Sequence, residues 1–314
     1  MYLLPRPQEM LLQDNVFYVD YTAEICIDPE ASPEWLHYAS LLQKEIEQDT
    51  GFHLNINRNL PVFQTPSILL KSTSGHSQQE YTLRIRESGI LLTASSNSGM
   101  LYAIQTLRQI IRQEGACLPG LDIHDFPVIS NRGLYYDVTR SRIPTLSYLK
   151  KMADTLSFYK INQLHLYIEH TYMFRNLSEV WRDDTPLTSS DILELDRYCA
   201  DLGIELVPSI ASFGHLYKIL RTKSFRHLCE REDLCEEPFG FIDRMEHHTI
   251  DVSNEESFSF IWSLIEEYLP LFRSDKFNIC GDETFDLGTG KSHELAEREG
   301  TQQLYIQYIK KLCD

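Results

Sequence analysis

The 314-residue sequence has no long hydrophobic run and no cluster of basic residues. No window approaches the roughly 18 consecutive apolar residues of a membrane-spanning helix, so we expect no membrane segment. Lys and Arg number 29 against 46 Asp and Glu, which gives a formal charge of −17. Because nucleic-acid-binding proteins usually carry a basic stripe or patch, this composition argues against that class. The excess of acidic residues indicates solubility and does not indicate a particular partner.

Closely paired cysteines are also missing. The seven cysteines are an odd number and are scattered without a CxxC spacing, so a disulfide framework is not expected. The N-terminal segment MYLLPRPQEM contains prolines and a glutamate where a signal peptide needs an unbroken apolar core. Together these features predict reduced thiols and a cytoplasmic location.

Residues 1–126 mix strand and helix patterns and show no evident chemistry. Four strands are predicted there, of which the last two form a hairpin: 16–27, 67–71, 81–87 and 90–94. One helix is predicted from a stripe of apolar residues at helical spacing: Trp35, Tyr38, Ala39, Leu42 and Ile46. A second helix is predicted at 100–112, with Ser98 as its N-cap. We therefore predict a small α+β domain at 1–126.

From about residue 127 the pattern changes to short apolar runs that alternate with amphipathic helices. Four buried strands are predicted, at 133–139, 161–168, 204–210 and 276–281. Alternation of apolar strands with helices is typical of parallel β/α units. Ligands in such folds bind beyond the carboxyl ends of the strands. The residues that follow each strand are therefore the first candidates for a functional site.

Charged or imidazole side chains follow all four predicted strands. Arg140, Glu169 and His215 come after the first three, and Asp282 and Glu283 follow the fourth within NICGDETFD. Two adjacent carboxylates at the end of a buried run form either a solvated turn or an acid/base pair at the mouth of a catalytic site. The concentration of polar groups at one predicted edge favours the catalytic interpretation.

A metal site is the alternative interpretation of the same edge, since His165, His170 and His215 could join the carboxylates as ligands. However, no HExxH motif is present, and Arg140 would place positive charge beside a cation. We therefore predict no metal and no cofactor. His165 is interpreted as a core residue of a strand, and His247-His248 as part of a solvated loop.

Four segments resemble, in order and in spacing, those of glycoside hydrolase family 20, the β-N-acetylhexosaminidases: NRGLYYDVTRSRIP, YKINQLHLYIEH, DLGIELVPSIASFGH and FNICGDETF. Two further segments are similar to the small α/β domain that precedes the family's barrel: LLPRPQEM and YTLRIRESGILLTASSNSGMLYAIQTLRQII. The resemblance covers nearly the whole chain. It implies an N-terminal α+β domain at 1–126 and the first half of a catalytic (β/α)8 TIM-type barrel at 127–314.

The resemblance also implies roles for the residues at the strand ends. Glu283 is expected to be the general acid/base, and Asp282 to orient the 2-acetamido group of the substrate. Arg140 and His215 match sugar-binding residues of the family, and Glu169 is carried over with them. The implied reaction removes terminal β-linked N-acetylhexosamine from amino-sugar-containing oligosaccharides or glycoconjugates, without a cofactor.

The adjacency of Asp282 and Glu283 agrees with this mechanism on physical grounds. A retaining glycosidase with a protein nucleophile needs two carboxyl groups about 5 Å apart on opposite sides of the scissile bond. Consecutive residues that leave one strand act more easily from the same side. One can protonate the leaving oxygen while the other steers the substrate's own amide carbonyl towards the anomeric carbon.

The sequence departs from the family pattern in two ways. Glu169-His170 stands where many members have Asp-Asp, and 208–211 reads PSIA where many have PEID. Two acidic side chains of the family pattern are thus replaced, so the family's sugar contacts and its amino-sugar preference do not carry over at these positions. The second region also has only about 190 residues, whereas a whole barrel has about 250. We therefore expect four of the eight β/α units, in the N-terminal part of a longer protein or in a truncated product.

Two other functions remain open on this sequence. Half a barrel favours a non-catalytic amino-sugar-binding or remnant module, in which Arg140 and Asp282 would still contact a sugar. A different barrel glycosidase would use Asp282 and Glu283 conventionally, through a covalent glycosyl-enzyme.

Overall fold

The structure is a computed structural model, which describes residues 1–59, 66–140 and 142–314. The chain forms two compact units, each built from three segments. The first unit contains Met1–Arg132, Met152–Asn162 and Asp201–Ile204. The second unit contains Gly133–Lys151, Gln163–Ala200 and Glu205–Asp314. None of the helices in the described ranges is both long enough and apolar enough to cross a membrane.

The first unit is built on a mixed seven-stranded sheet with the order β1-β7-β5-β6-β4-β2-β3. Its strands are β1 Glu9–Tyr18, β2 Glu24–Ile27, β3 Asn55–Asn57, β4 Ser67–Ser72, β5 Tyr81–Arg86, β6 Gly89–Ala94 and β7 Cys117–Asp125. The predicted hairpin is confirmed, because β5 and β6 pair antiparallel from Tyr81↔Ala94 to Arg86↔Gly89. Side chains along β5 and β6 alternate between buried and partly exposed, so one face of the sheet lies in the core.

Two long helices contribute the other half of this core, α1 at Trp35–Thr50 and α2 at Asn97–Glu114. All five apolar residues that predicted α1 are buried. They belong to a single hydrophobic cluster that also contains residues of α2 and of the sheet, such as Leu83 and Leu92. Helical and strand periodicity therefore point to the same core.

The predicted strand 16–27 is wrong, because it consists of two strands with a turn between them. β1 ends at Tyr18 and β2 begins at Glu24. Between them the Asp20 side chain accepts a hydrogen bond from the backbone N–H of Thr22 at 2.7 Å. An aspartate that bonds the backbone two residues ahead closes a tight turn and competes with strand pairing.

The predicted cap of α2 is also wrong. Ser96, not Ser98, precedes the helix with extended backbone, and its hydroxyl oxygen accepts a hydrogen bond from the N–H of Gly99 at 3.0 Å. A cap residue must itself be non-helical, and Ser98 lies inside the helix.

Strand β7 was not predicted, because Pro119 and Gly120 interrupt its sequence. In the sheet Pro119 pairs with Val16, next to an irregularity in the register of β1, and proline in a sheet is tolerated at such places.

The second unit contains a parallel sheet of β8 Gly133–Asp137, β9 Gln163–Ile168 and β10 Glu205–Ile210, with β9 in the centre. The strands pair in one register, with Gly133 and Glu205 both opposite Gln163. The helices that alternate with and follow these strands are α3 Leu146–Phe158, α4 Ser178–Trp181, α5 Ser189–Asp201, α6 Tyr217–Leu220, α7 Glu255–Tyr268, α8 His293–Glu299 and α9 Thr301–Cys313. Short 3-10 turns lie at Arg226–Leu228, Glu232–Leu234, Asp243–Met245 and Leu269–Leu271.

The fourth predicted strand, 276–281, is wrong as a strand, although its position beside β10 is preserved. Only Asn278 pairs there, in a parallel bridge to Ser209. Its N–H donates to the carbonyl of Pro208 at 3.0 Å, and its carbonyl accepts from the N–H of Ile210 at 3.1 Å. The Asn278 side chain then accepts from the N–H of Cys280, whose φ of 45° turns the chain out of the extended conformation.

A buried ion pair lies in the core of the first unit. Lys160 is 5% exposed, and its ammonium donates hydrogen bonds to Asp125 Oδ2 at 3.0 Å and to the hydroxyl of Tyr81 at 2.8 Å. Tyr81 in turn donates to the same Asp125 oxygen at 2.8 Å. Burial lowers the pKa of Lys160, and the adjacent Asp125 carboxylate opposes that shift. The pair is therefore tolerated because each charge has the other as its partner.

Replacing Lys160 with Met should lower the free energy of unfolding by about 3–5 kcal/mol, because the buried Asp125 carboxylate would lose its counter-charge. Urea unfolding followed by circular dichroism measures the loss. The double variant Lys160→Met/Asp125→Asn should recover part of it. The exposed Lys71 supplies the control, since Lys71→Ala should change stability by no more than about 0.5 kcal/mol. Equal effects at Lys160 and Lys71 would contradict this role for the ion pair.

Candidate active site

The parallel register of the second unit brings the predicted site residues to one edge of its sheet. Asp137 and Ser209 both lie opposite Tyr167, and Asn278 bridges to Ser209. The segments that carry the site residues leave the sheet just beyond this row. Ser141, which belongs to the first of these segments, lies outside the described residues.

Three of the five predicted residues form one cluster, His215, Asp282 and Glu283. The ring nitrogen Nε2 of His215 lies 3.4 Å from Asp282 Oδ2 and 3.1 Å from Glu283 Oε2. The imidazole is 4% exposed, whereas the side chains of Asp282 and Glu283 are 60% and 42% exposed. A buried imidazole thus stands behind two carboxylates that are open to solvent.

The chain folds into this arrangement because Gly214 allows two backbones to approach closely. A Cβ atom at Gly214 would lie 2.7 Å from the carbonyl oxygen of Asp282 and 3.1 Å from that of Glu283. Contacts as short as 2.7 Å essentially never occur for a real Cβ, so a side chain there would push the two segments apart. The glycine before His215 therefore sets the distance between the imidazole and the carboxylates.

Left-handed backbone is concentrated at the same place. His215, Cys280 and Glu283 have φ values of 60°, 45° and 50°. Residues other than glycine rarely adopt positive φ, and such conformations tend to persist where the surrounding structure holds a functional group in place. Cys280 is held by its buried thiol, which lies 3.1 Å from Ser209 Oγ and 3.3 Å from the hydroxyl of Tyr135.

The other two predicted residues, Arg140 and Glu169, form a second group. One guanidinium nitrogen of Arg140 donates to Asp137 Oδ2 at 2.7 Å, and another lies 3.0 Å from Glu169 Oε1. Asp137 also accepts hydrogen bonds from the backbone N–H groups of Thr139 and Arg140. Arg140 is therefore fixed from two sides rather than free to swing.

Tyr167 connects the two groups and was not predicted as a site residue; Asp137 was recognised at the end of its strand but given no role. The hydroxyl of Tyr167 donates to Glu169 Oε1 at 3.1 Å, and the Arg140 guanidinium carbon lies 4.9 Å from the centre of its ring. The ring of His215 stands edge-on to it, with centroids 6.5 Å apart. Alternation along a strand could have revealed it, because Tyr167 and Glu169 are two residues apart and share one face.

Burial determines the protonation of Glu169. Because the side chain is almost fully removed from water, burial raises the pKa of this carboxyl from 4.5 to about 7, although the Arg140 cation and the Tyr167 hydroxyl both oppose the shift. Burial and the neighbouring Glu169 also raise the pKa of Tyr167. Near neutral pH Glu169 is thus divided between its charged and neutral forms.

The histidines considered as metal ligands are not all brought together. His170 is buried, and burial lowers its pKa to about 3. His165 lies in β9. Over residues 1–59, 66–140 and 142–314, one group of three or more His, Cys, Asp or Glu side chains has ligand atoms within 4.8 Å of one another, and it is His215, Asp282 and Glu283.

The interpretation of His247-His248 as a solvated loop is wrong for His248, whereas His247 is 24% exposed. His248 is 1% exposed, and burial lowers its pKa to about 4. The carboxylate of Asp286 holds both residues, contacting His247 Nδ1 at 3.0 Å and accepting from the N–H of His248 at 3.1 Å. A partner 38 residues away decides this burial, and local sequence does not show it.

Comparison with known families gives two matches that together span most of the chain. Residues 1–126 match the model described as "Glycosyl hydrolase family 20, domain 2". Residues 130–312 match "Glycosyl hydrolase family 20, catalytic domain".

Curated relatives share this family at low identity. The chain is 25% identical over 311 residues to a beta-hexosaminidase of Porphyromonas gingivalis. The aligned region covers 90% of this chain and 38% of the relative. It is 24% identical over 340 aligned positions to a beta-hexosaminidase of Vibrio furnissii. That alignment covers 95% of this chain and 52% of the relative. The chain thus spans about half, or less, of the length of these relatives.

Solved structures share the fold. The chitobiase of Flavobacterium johnsoniae superposes with a TM-score of 0.80 at 20% identity, over 99% of this chain and 50% of that one. The N-acetyl-beta-hexosaminidase of Streptomyces plicatus superposes with a TM-score of 0.78 at 21% identity. The match covers 98% of this chain and 64% of that one. The likeness confirms the coarse fold prediction, a small domain followed by a TIM-barrel-type fold.

The raised pKa of Glu169 predicts a pH dependence of stability. A carboxyl that holds its proton more tightly when folded contributes stability that is complete below pH 4.5 and is lost as the pH rises through about 7. The variant Glu169→Gln lacks this titrating group and should not lose stability in this way. The stability of the variant relative to the unmodified protein should therefore rise between about pH 5 and pH 8. Urea unfolding at a series of pH values measures it.

The control for this experiment is Glu237→Gln, since Glu237 is exposed and its replacement leaves the buried carboxyl in place. That variant should keep the pH dependence of the unmodified protein. Identical pH slopes for Glu169→Gln and the unmodified protein would show that Glu169 does not titrate in this range.

Proposed function

The chain belongs to glycosyl hydrolase family 20, and we propose that it carries the acid/base site of an enzyme that removes terminal β-linked N-acetylhexosamine. The proposed substrates are amino-sugar-containing oligosaccharides or glycoconjugates. The observation that carries the proposal is the meeting of Asp282, Glu283 and His215 at the carboxyl edge of a parallel sheet. Under this proposal residues 1–126 are the accompanying domain and 127–314 the catalytic one. The cytoplasmic location stays a prediction.

The position of the two carboxylates supports substrate-assisted catalysis. Both approach the same nitrogen of His215, at 3.4 and 3.1 Å, so their oxygens lie close together and would face a bound sugar from one side. A protein nucleophile would need a second carboxyl about 5 Å from the acid and across the scissile bond. With Asp282 and Glu283 on one side, the nucleophile that fits is the acetamido oxygen of the substrate.

The proposed reaction has two steps. In the first, Glu283 gives its proton to the glycosidic oxygen while the acetamido carbonyl oxygen bonds to the anomeric carbon, and the bond to the leaving group breaks. Asp282 accepts a hydrogen bond from the amide N–H and stabilises the positive charge that develops on the resulting oxazolinium ring. In the second, the Glu283 carboxylate takes a proton from water, which attacks the anomeric carbon and opens the ring with retained configuration.

The remaining site residues would bind the sugar. Arg140 is held by Asp137 and Glu169, so its guanidinium can meet sugar hydroxyls without first being ordered. Glu169 would take part through Oε2, because Arg140 and Tyr167 both contact Oε1. His215 would hold Glu283 in position from the buried side.

The first test is the selectivity between two chromogenic glycosides. The purified protein should cleave p-nitrophenyl N-acetyl-β-glucosaminide and leave p-nitrophenyl β-glucoside intact, because only the first carries the internal nucleophile. Glu283→Gln should lower kcat by about 10²–10⁴-fold, the usual contribution of a general acid. Glu294→Gln is the matched control, since Glu294 is an exposed carboxylate on α8. Equal cleavage of both glycosides would contradict the mechanism.

A second test varies the nucleophile itself. Replacing the acetamido group of the substrate with its mono-, di- and trifluoro analogues withdraws electrons from the carbonyl oxygen, so kcat should fall progressively along the series. An enzyme that used a carboxylate nucleophile would show no such progressive fall and would accumulate a covalent intermediate, detectable by mass spectrometry.

A further inference from the structure

The cluster of His215, Asp282 and Glu283 has the composition of a cation site as well as that of an acid/base site. It offers one imidazole nitrogen and two carboxylate oxygens, all within 4.8 Å of one another. We propose that these three side chains bind zinc or a similar borderline divalent cation, and that the bound cation reversibly blocks the site. The binding stands on the cluster alone, whereas the inhibition rests on the proposed hydrolase function.

The separations of the two carboxylates from the imidazole nitrogen suit tetrahedral coordination. With bonds of about 2.0–2.2 Å to nitrogen and oxygen, the ligand atoms of tetrahedral zinc lie roughly 3.3–3.5 Å apart. The observed separations from His215 Nε2 are 3.4 Å to Asp282 and 3.1 Å to Glu283. Small rotations of two exposed carboxylates are enough to complete the geometry, and a fourth position stays open to solvent.

The state of His215 is an independent indication that a ligand belongs here. Its Nε2 atom is buried and makes no hydrogen bond of acceptable geometry with the residues that the structure describes. Both carboxylates are near it, but neither completes such a bond. A buried polar atom without a well-formed hydrogen bond is costly, and a cation bound to this nitrogen would satisfy it.

The surrounding charges favour a cation. Asp282 and Glu283 together balance the two charges of the metal ion. Arg140 does not oppose it with an uncompensated charge, because its guanidinium contacts Asp137 at 2.7 Å and Glu169 at 3.0 Å. The sequence suggested that the positive charge of Arg140 would repel a metal ion at this edge. Its ion pairs with Asp137 and Glu169 offset that charge.

The ligand types select zinc over magnesium. Zinc accepts imidazole and carboxylate in four-coordinate sites, whereas magnesium prefers six oxygen ligands and keeps much of its water. Three protein ligands with an open position bind a borderline cation that can be removed again by a chelator. While bound, the cation occupies the oxygen atoms through which the proposed acid and the orienting carboxylate would act, so it should compete with substrate.

Isothermal titration calorimetry with zinc chloride, and separately with magnesium chloride, tests the binding. The intact protein should bind one zinc ion at this site and magnesium much more weakly. His215→Asn and Asp282→Asn should each weaken zinc binding by at least about tenfold, since even outer-shell changes cost 10–100-fold at metal sites. Asp282 is exposed, so its variant keeps the test valid if the buried His215 substitution prevents folding.

His227→Asn is the matched control, because His227 forms an exposed contact with Glu256 at 3.0 Å and has a similar ligand chemistry at the surface. Its zinc affinity should equal that of the unmodified protein. Zinc binding that survives in both Asp282→Asn and His215→Asn, or that is lost equally in His227→Asn, would overturn the site. Equal affinity for magnesium would overturn it as well.

Kinetics separate this proposal from the hydrolase function. If the protein cleaves the N-acetylglucosaminide, zinc should raise KM with little change in kcat, and EDTA should restore activity. Hydrolysis without zinc binding would overturn this inference and leave the hydrolase standing. Zinc binding without hydrolysis would support the cation site. It would contradict both the hydrolase function and the proposed inhibition of it.

Discussion

The candidate site depends on one constraint, the parallel pairing of β8, β9 and β10 without a slip in register. Gly133, Gln163 and Glu205 lie in one row, so the strands end at nearly the same level. A shift of one residue in β9 would turn Tyr167 and Glu169 to the opposite face. Asn278 extends the row through only one bridge, yet this is enough to place the two carboxylates that follow it.

Within that frame the charges are divided into a fixed group and an open group. Arg140 forms ion pairs with Asp137 and Glu169, and these three side chains are 23%, 35% and 7% exposed. Asp282 and Glu283 face solvent against a buried imidazole. Tyr167 stands between the groups, bonded to one and packed against the other. A ligand would therefore meet a rigid, ion-paired side and an adaptable anionic one.

Sequence patterns predicted those features of the structure that depend on interactions between neighbouring residues. The strand and helix periodicities and the polar residues after each strand could be found because each depends on neighbouring residues. The loss of strand pairing at 276–281 could not be predicted. There the Asn278 side chain bonds the N–H of Cys280, and the left-handed backbone of Cys280 ends the extended conformation. The burial of His248 could not be predicted either, because it depends on Asp286, 38 residues away. The pairing of Asp137 with Arg140 becomes visible only in the folded structure, whereas strand alternation places Tyr167 on the same face as Glu169.

The left-handed backbone at His215, Cys280 and Glu283 has a consequence for how this protein can change. Each such residue costs about 1–2 kcal/mol relative to an ordinary conformation, so the three together store about 3–6 kcal/mol. Glycine or asparagine at any of the three would release part of that energy at once. Substitutions that stabilise the protein at these positions would therefore alter the candidate site itself, so stability and the geometry of the site are in conflict here.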